Sequence, residues 1–455
     1  MISSSLEFSS PIFKLKGDEV AQVKATSQKS GGSNAKKELT NMSNKLNVFF
    51  SLLLVLLVFN SCNNRLNVKT GNSILTDTAD ISSAKGNLTG FVDIAADDAA
   101  ITYIGRVDRS NPKEPAFAFP GITIRFNFSG PAIGFRLRDN GSEKYPNFYY
   151  VIIDDGEPTK IKASKKREEY VISRNLETGE HSIEVVKLTE ASPQGIVNNG
   201  KASFLGFMIE KTGKPLDTAS FENTIEFIGD SITCGYGNEL AVSADELDAA
   251  PEKYGYSTQN SNSYLAWGAT AARMLNADYR AIAYSGKGIT RNYSGVGGAT
   301  IPRIYRRIFP DEESPKWNIA SSIPDVIVIN LGTNDFSIGL DVDGGELAEV
   351  RENYRTDYLA FLEKLRGYYP NVPIIVAAGP MISDSYPPKY KAWTSIQEDL
   401  NTVVDLRHND GDTNVHLFIL NPQTGSYGED WHPTVATHED MATQLSDFIN
   451  THSLL

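Results

Sequence analysis

The hydrophobic period changes once along this chain, near residue 222, and that change limits the folds open to it. Between about Asn87 and Pro215 the apolar residues recur at every second position. Residues 122–128 (ITIRFNF) alternate in this way, as do residues 133–137. Residues 148–153 form a continuous apolar run closed by Asp154-Asp155-Gly156, and residues 183–188 and 204–209 add two more strand candidates. Turn residues punctuate the series at Pro120-Gly121, Ser129-Gly130-Pro131, Asn140-Gly141 and Thr178-Gly179. Short strands divided by regular turns predict an all-β sandwich of jelly-roll type over residues 87–215.

From about Glu222 strand-like runs alternate with helical patterns. The runs are residues 225–228, 279–284, 326–331, 374–378 and 415–420. Helix candidates lie at residues 263–275, 352–368, 395–407 and 438–449. This alternation predicts a parallel sheet with helices on both faces, a flavodoxin-like α/β domain over residues 222–455. The stretch 286–322 exceeds what a simple crossover needs and is expected to build part of a substrate cleft.

The front of the chain reads differently. Lys45 precedes an apolar run over residues 48–59, and Asn60-Ser61-Cys62 follows it. That run is short against the roughly 20 residues of a membrane span. A basic start, a short apolar stretch and small residues before a cut site describe a secretory signal. With cysteine directly after Ser61, residues 42–61 resemble a bacterial lipoprotein signal peptide, which implies that Cys62 becomes the lipidated first residue. Translation is expected to start at Met42, with residues 1–41 a non-native extension, and residues 62–86 are polar enough to serve as a tether. The expected location is therefore the bacterial cell envelope, lipid-anchored through Cys62.

A formal net charge of −13 argues against nucleic acid or an anionic membrane face as a partner and suits a neutral glycan. Two cysteines, Cys62 and Cys234, exclude a disulfide framework and a cysteine-based zinc site. His408, His416, His438 and His452 show no ligand spacing, so neither a catalytic metal nor a cofactor is expected. A monomer is the expected state.

In an open parallel sheet, functional residues gather at the carboxyl ends of the strands. The first predicted strand runs into Gly229-Asp230-Ser231, the second into Ser285-Gly286-Lys287-Gly288, and the third into Gly332-Thr333-Asn334-Asp335. Glu429-Asp430-Trp431-His432-Pro433 follows the fifth. All four loops should open onto one edge of the sheet. A serine hydroxyl needs a neighbouring base to become a nucleophile, and histidine titrates in the right range. The backbone N–H groups of Ser231 and Gly286 and the side-chain amide of Asn334 are candidate donors to an oxyanion. Ser231 is read as the nucleophile and His432 as the base of an acyl-transfer site.

Ser231, Gly286, Asn334 and His432, in this order and each after a strand, resemble the four blocks of the SGNH (GDSL-like) hydrolases. A preceding β-sandwich together with the blocks around these residues resembles carbohydrate esterase family 2 more specifically. The resemblance spans residues 87–455. It implies removal of O-acetyl groups from plant polysaccharides or oligosaccharides, often at the primary O6 position. Many SGNH enzymes carry an aspartate three residues before the histidine, and this chain has Glu429 there, with Asp430 two before. Either carboxylate is a candidate to orient His432, and a backbone carbonyl is the third. Trp431 and Phe336 adjoin the site and are candidates to stack on a sugar ring, with plain packing as the alternative. Cys234 is expected to be structural. Two other readings stay open: an SGNH esterase or acyltransferase acting on another ester, such as peptidoglycan acetate or a lipid, and an inactive surface glycan-binding lipoprotein.

Overall fold

The computed structural model describes residues 88–455, so residues 1–41, the signal at 42–61 and the tether through Cys62 lie outside the described residues. The first strands in chain order are β1 (Phe91–Ala95), β2 (Ile101–Ile104), β3 (Ala116–Phe117), β4 (Thr123–Ser129) and β5 (Ile133–Asp139). They continue with β6 (Phe148–Ile153), β7 (Thr159–Lys162), β8 (Glu169–Ser173), β9 (Glu180–Lys187), β10 (Ala202–Glu210) and β11 (Pro215–Leu216). These build two antiparallel sheets, one ordered β1-β10-β5-β8 with β3 beside β10, the other β11-β4-β9-β6-β7 with β2 beside β4. Alternation along β4 turns Ile124, Phe126 and Phe128 inward, where Phe126 stacks on Phe207 of the facing sheet at 4.7 Å. The result is the jelly-roll-like sandwich predicted from the period-2 pattern.

The second part holds β12 (Asn223–Gly229), β13 (Ala277–Ala283), β14 (Val326–Asn330), β15 (Ile374–Ala378) and β16 (Val415–Ile419). All four pairings are parallel, in the order β13-β12-β14-β15-β16. β14 and β15 are buried along their whole length, as expected for strands covered on both faces. The covering helices include α1 (Ser231–Cys234), α2 (Trp267–Met274), α3 (Glu346–Tyr368), α4 (Ala392–Asn409) and α5 (Val435–His452). This is the flavodoxin-like strand order, whose switch point lies between the first strand and the third. The register sets Gly229 level with Ala283 and Asn330, so the loops after β12, β13 and β14 leave from one edge.

Sandwich and parallel sheet share buried charge. Glu226 of β12, fully buried, meets Arg280 of β13 at 3.3 Å and Arg106 of the sandwich at 3.7 Å, and accepts from the Tyr305 hydroxyl at 2.6 Å. Stripping a buried carboxylate of such partners typically costs several kcal/mol, roughly 3–5. Among the described residues no helix is long and apolar enough to cross a membrane.

Candidate active site

β12 ends at Gly229, and Asp230 caps the short helix that follows: its carboxylate accepts from the Ile232 N–H at 3.0 Å. The abrupt passage from strand to helix puts Ser231 at the first helical position, where a backbone N–H has no partner inside the helix. Burial pushes the Asp230 carboxyl up to about 7, against the pull of the Ile232 N–H. The Ser231 hydroxyl lies 2.8 Å from Nε2 of His432.

The second loop is a tight turn. Lys287 donates its N–H to the Tyr284 carbonyl at 3.3 Å, and Gly286 at the third position has φ +76°. Positive φ there marks a type II turn, which glycine enters without the penalty other residues carry. The Gly286 N–H is left without a protein partner among the described residues, while its carbonyl accepts from Tyr293 at 2.8 Å. The third loop grips the other two. The Asn334 amide donates to Asp230 Oδ2 at 3.0 Å and to the Lys287 carbonyl at 2.9 Å. The buried Asp335 carboxylate accepts from the N–H groups of Ile289, Thr290 and Arg291 at 3.1, 2.7 and 2.8 Å. Both hydrogens of the Asn334 amide are therefore engaged. To serve as a third oxyanion donor it must share or exchange one of them.

The histidine loop is built on an irregular turn. Three residues apart on a helical turn would have brought the Glu429 side chain onto the His432 face, but Glu429–Trp431 form a single 3-10 turn with left-handed backbone at Asp430 (φ 48°) and Trp431 (φ 65°). That geometry is uncommon for residues other than glycine. It aims main-chain carbonyls inward: His432 Nδ1 lies 3.0 Å from the Glu429 carbonyl and 3.1 Å from that of Asp430. A carbonyl only accepts, so Nδ1 carries the proton and Nε2 is the acceptor toward Ser231. The carboxylates are occupied elsewhere. Glu429 accepts from the Ser257 N–H and the Asn260 amide, both at 2.6 Å, and Asp430 accepts from the Tyr236 hydroxyl. Burial holds Glu429 up to about 7. Of the three candidates named for orienting His432, the backbone carbonyl is the one the geometry joins to it.

Burial draws the His432 imidazole down to about 4, with the Glu429 carbonyl and the charge of Asp430 pulling the other way. Tyr236 lies against its ring, centroids 4.0 Å apart and planes 20° apart. Sequence reasoning missed Tyr236. An aromatic five residues after Ser231 is the one signal that marks it.

Trp431 is 37% exposed and meets Tyr427 edge-on at 5.0 Å. Phe336 does not reach the surface: it is fully buried against Tyr354 of α3, 5.3 Å between centroids, so it packs the core and is not free to stack on a sugar. Cys234 is a buried free thiol in α1, which burial raises well above its ordinary range. Among the described residues no group of three or more His, Cys, Asp or Glu is placed to hold a metal ion.

Comparison with known proteins bears on both parts of the chain. Residues 103–218 match the Carbohydrate esterase 2 N-terminal family, and residues 227–439 match the GDSL-like Lipase/Acylhydrolase family. The chain is 33% identical over 354 residues to the cellulase/esterase CelE of Acetivibrio thermocellus, covering 77% of this chain and 39% of CelE. It is 32% identical over 256 residues to an acetylxylan esterase / glucomannan deacetylase of Cellvibrio japonicus, covering 55% of this chain and 64% of that protein. It therefore spans less than two thirds of either relative. A solved family two carbohydrate esterase from Clostridium thermocellum, in complex with cellohexaose, superposes with a TM-score of 0.65 at 32% identity, covering 78% of this chain and all of that one.

Proposed function

The chain belongs to carbohydrate esterase family 2, and from that premise we propose that it is a serine esterase removing O-acetyl groups from plant polysaccharides or oligosaccharides. The observation that carries this reading is the 2.8 Å contact between Ser231 Oγ and His432 Nε2, together with a Gly286 N–H that has no protein partner among the described residues. In the reaction, Ser231 Oγ attacks the acetyl carbonyl carbon while Nε2 takes its proton. The negative oxygen meets the N–H groups of Ser231 and Gly286. Collapse returns the proton from His432 to the departing sugar oxygen and leaves acetyl-Ser231. Water, deprotonated by the same nitrogen, then frees acetate and restores the serine.

The exposed Trp431, next to the base, is the surface on which a sugar ring would rest. The short apolar run over residues 48–59, followed by Asn60-Ser61-Cys62, supports a lipid tether at the cell envelope. Metabolic labelling with a fatty acid that is lost in Cys62→Ala tests the tether; labelling that persists counts against it. Acetate release from O-acetylated xylan, glucomannan and pectin, with Ser231→Ala as control, tests the activity. Release from none of the three contradicts it and favours a glycan-binding role; equal release in both proteins removes Ser231 from the reaction.

A further inference from the structure

The sandwich reaches the catalytic loops through the segment that leaves β9. Glu190, only 3% exposed, projects from this segment, and its Oε2 accepts the N–H of Ser285 at 3.2 Å. Lys187, itself fully buried, ties the same segment down by donating to the carbonyls of Thr189 and Glu190. A second link lies alongside. Asp311 accepts from the Asn198 N–H at 2.9 Å and from the Ser192 hydroxyl, and its other oxygen accepts from the Tyr284 hydroxyl at 2.9 Å. Residues 284 and 285, the first two of the turn that carries Gly286, are thus held against the sandwich.

We propose that Glu190 is a positioning residue that fixes, from the sandwich, the direction of the Gly286 N–H. The inference rests on the esterase reading above. The Gly286 N–H belongs to the central peptide of the Tyr284–Lys287 turn. Type I and type II turns differ in the orientation of that peptide, and rotating it reverses where the N–H points. Two bonds bracket it. Glu190 holds the peptide before, through the Ser285 N–H, and Tyr293 holds the peptide after, through the Gly286 carbonyl. Without Glu190 the Ser285 N–H has no other partner among the described residues, and only the Tyr293 side of the bracket remains. An oxyanion donor counts only if its direction is set before the charge develops. The sandwich on this account completes the catalytic site without touching substrate.

The test compares Glu190→Gln, which keeps an acceptor oxygen, with Glu190→Met, which keeps the volume and removes it. Hydrolysis of p-nitrophenyl acetate is read as kcat and KM separately, with wild type and Ser231→Ala alongside. Glu190→Met should lose about 10- to 100-fold in kcat, below the full loss of an oxyanion donor. Its KM should stay within about twofold, and Glu190→Gln should stay within about threefold of wild type in kcat. A folded Glu190→Met with wild-type kcat, a loss confined to KM, or equal damage from Gln and Met would overturn the inference. If Glu190→Met is not recovered folded, Ser285→Pro makes the same test from the donor side. Proline suits the second position of the turn and lacks the N–H. A fall in its kcat at constant KM supports the inference, and an unchanged kcat overturns it. Wild type as inactive as Ser231→Ala would instead fell the esterase reading, and this inference with it.

Discussion

Ser231 and His432 meet at 2.8 Å, yet each reaches that distance by a different route. The serine is delivered by regular structure: a parallel strand ends, Asp230 caps a helix, and Ser231 stands at the first helical position. The histidine is delivered by a loop whose conformation few side chains prefer, with left-handed backbone at Asp430 and Trp431. Side chains serve that loop as guy-lines: Glu429 to Ser257 and Asn260, Asp430 to Tyr236. The group that touches the imidazole nitrogen is main chain. An imidazole can therefore be oriented without a carboxylate on its ring, where its loop is anchored firmly enough to hold two carbonyls in place.

The comparison can be broken at either end. Ser231→Ala and His432→Ala should have the largest effects, each lowering kcat for acetate release by about 10⁴-fold or more; substantial activity in either would remove that residue from the mechanism. Asn334→Ala should come next. It loses both a potential oxyanion donor and the tie between the first two loops, so a kcat about 100- to 1,000-fold lower is expected. A change only in KM would show that the amide holds substrate and not the transition state. Trp431→Ala should raise KM on an acetylated oligosaccharide about tenfold while leaving p-nitrophenyl acetate hydrolysis nearly unchanged. Equal losses on both substrates would make the ring a prop for the loop.

The pH profile sharpens the contrast further. His432 acts as a base only when neutral, and burial holds it near 4. As pH falls, kcat/KM should stay level past 5 and drop with a midpoint near 4. Ordinary imidazole would give a drop near 6.5. A midpoint at 6 or above would mean that the loop leaves the ring more open to water than its burial implies.

Regular elements were legible from the chain because burial imposes a period on them. β6 and β15 have the bounds that their apolar runs predict, and the loops carrying Ser231, Gly286, Asn334 and His432 each follow a strand that the pattern predicts. Elements without such a period escaped. β7, with the sequence TKIK, buries only Ile161 and carries too little alternation to register. The helix read over residues 263–275 is a 3-10 turn and then α2, divided where Ala266 turns extended. Of the two roles open to Phe336, stacking on a sugar or packing, the structure fits packing: two residues after Asn334 the turn after β14 sends that ring into the core, which spacing does not announce. The same limit hid the support of His432. Spacing can nominate Glu429, but which of its oxygens meets the ring depends on backbone angles that no side chain announces.

Main-chain carbonyls, not carboxylates, meet Nδ1 of His432. The most direct measurement is kcat of the double variant Glu429→Gln, Asp430→Asn on p-nitrophenyl acetate. These replacements keep the shape of the guy-lines and remove their charge. The account predicts a kcat within about tenfold of wild type; a loss of about 10⁴-fold, as seen when the carboxylate of a true catalytic triad is neutralised, would contradict it.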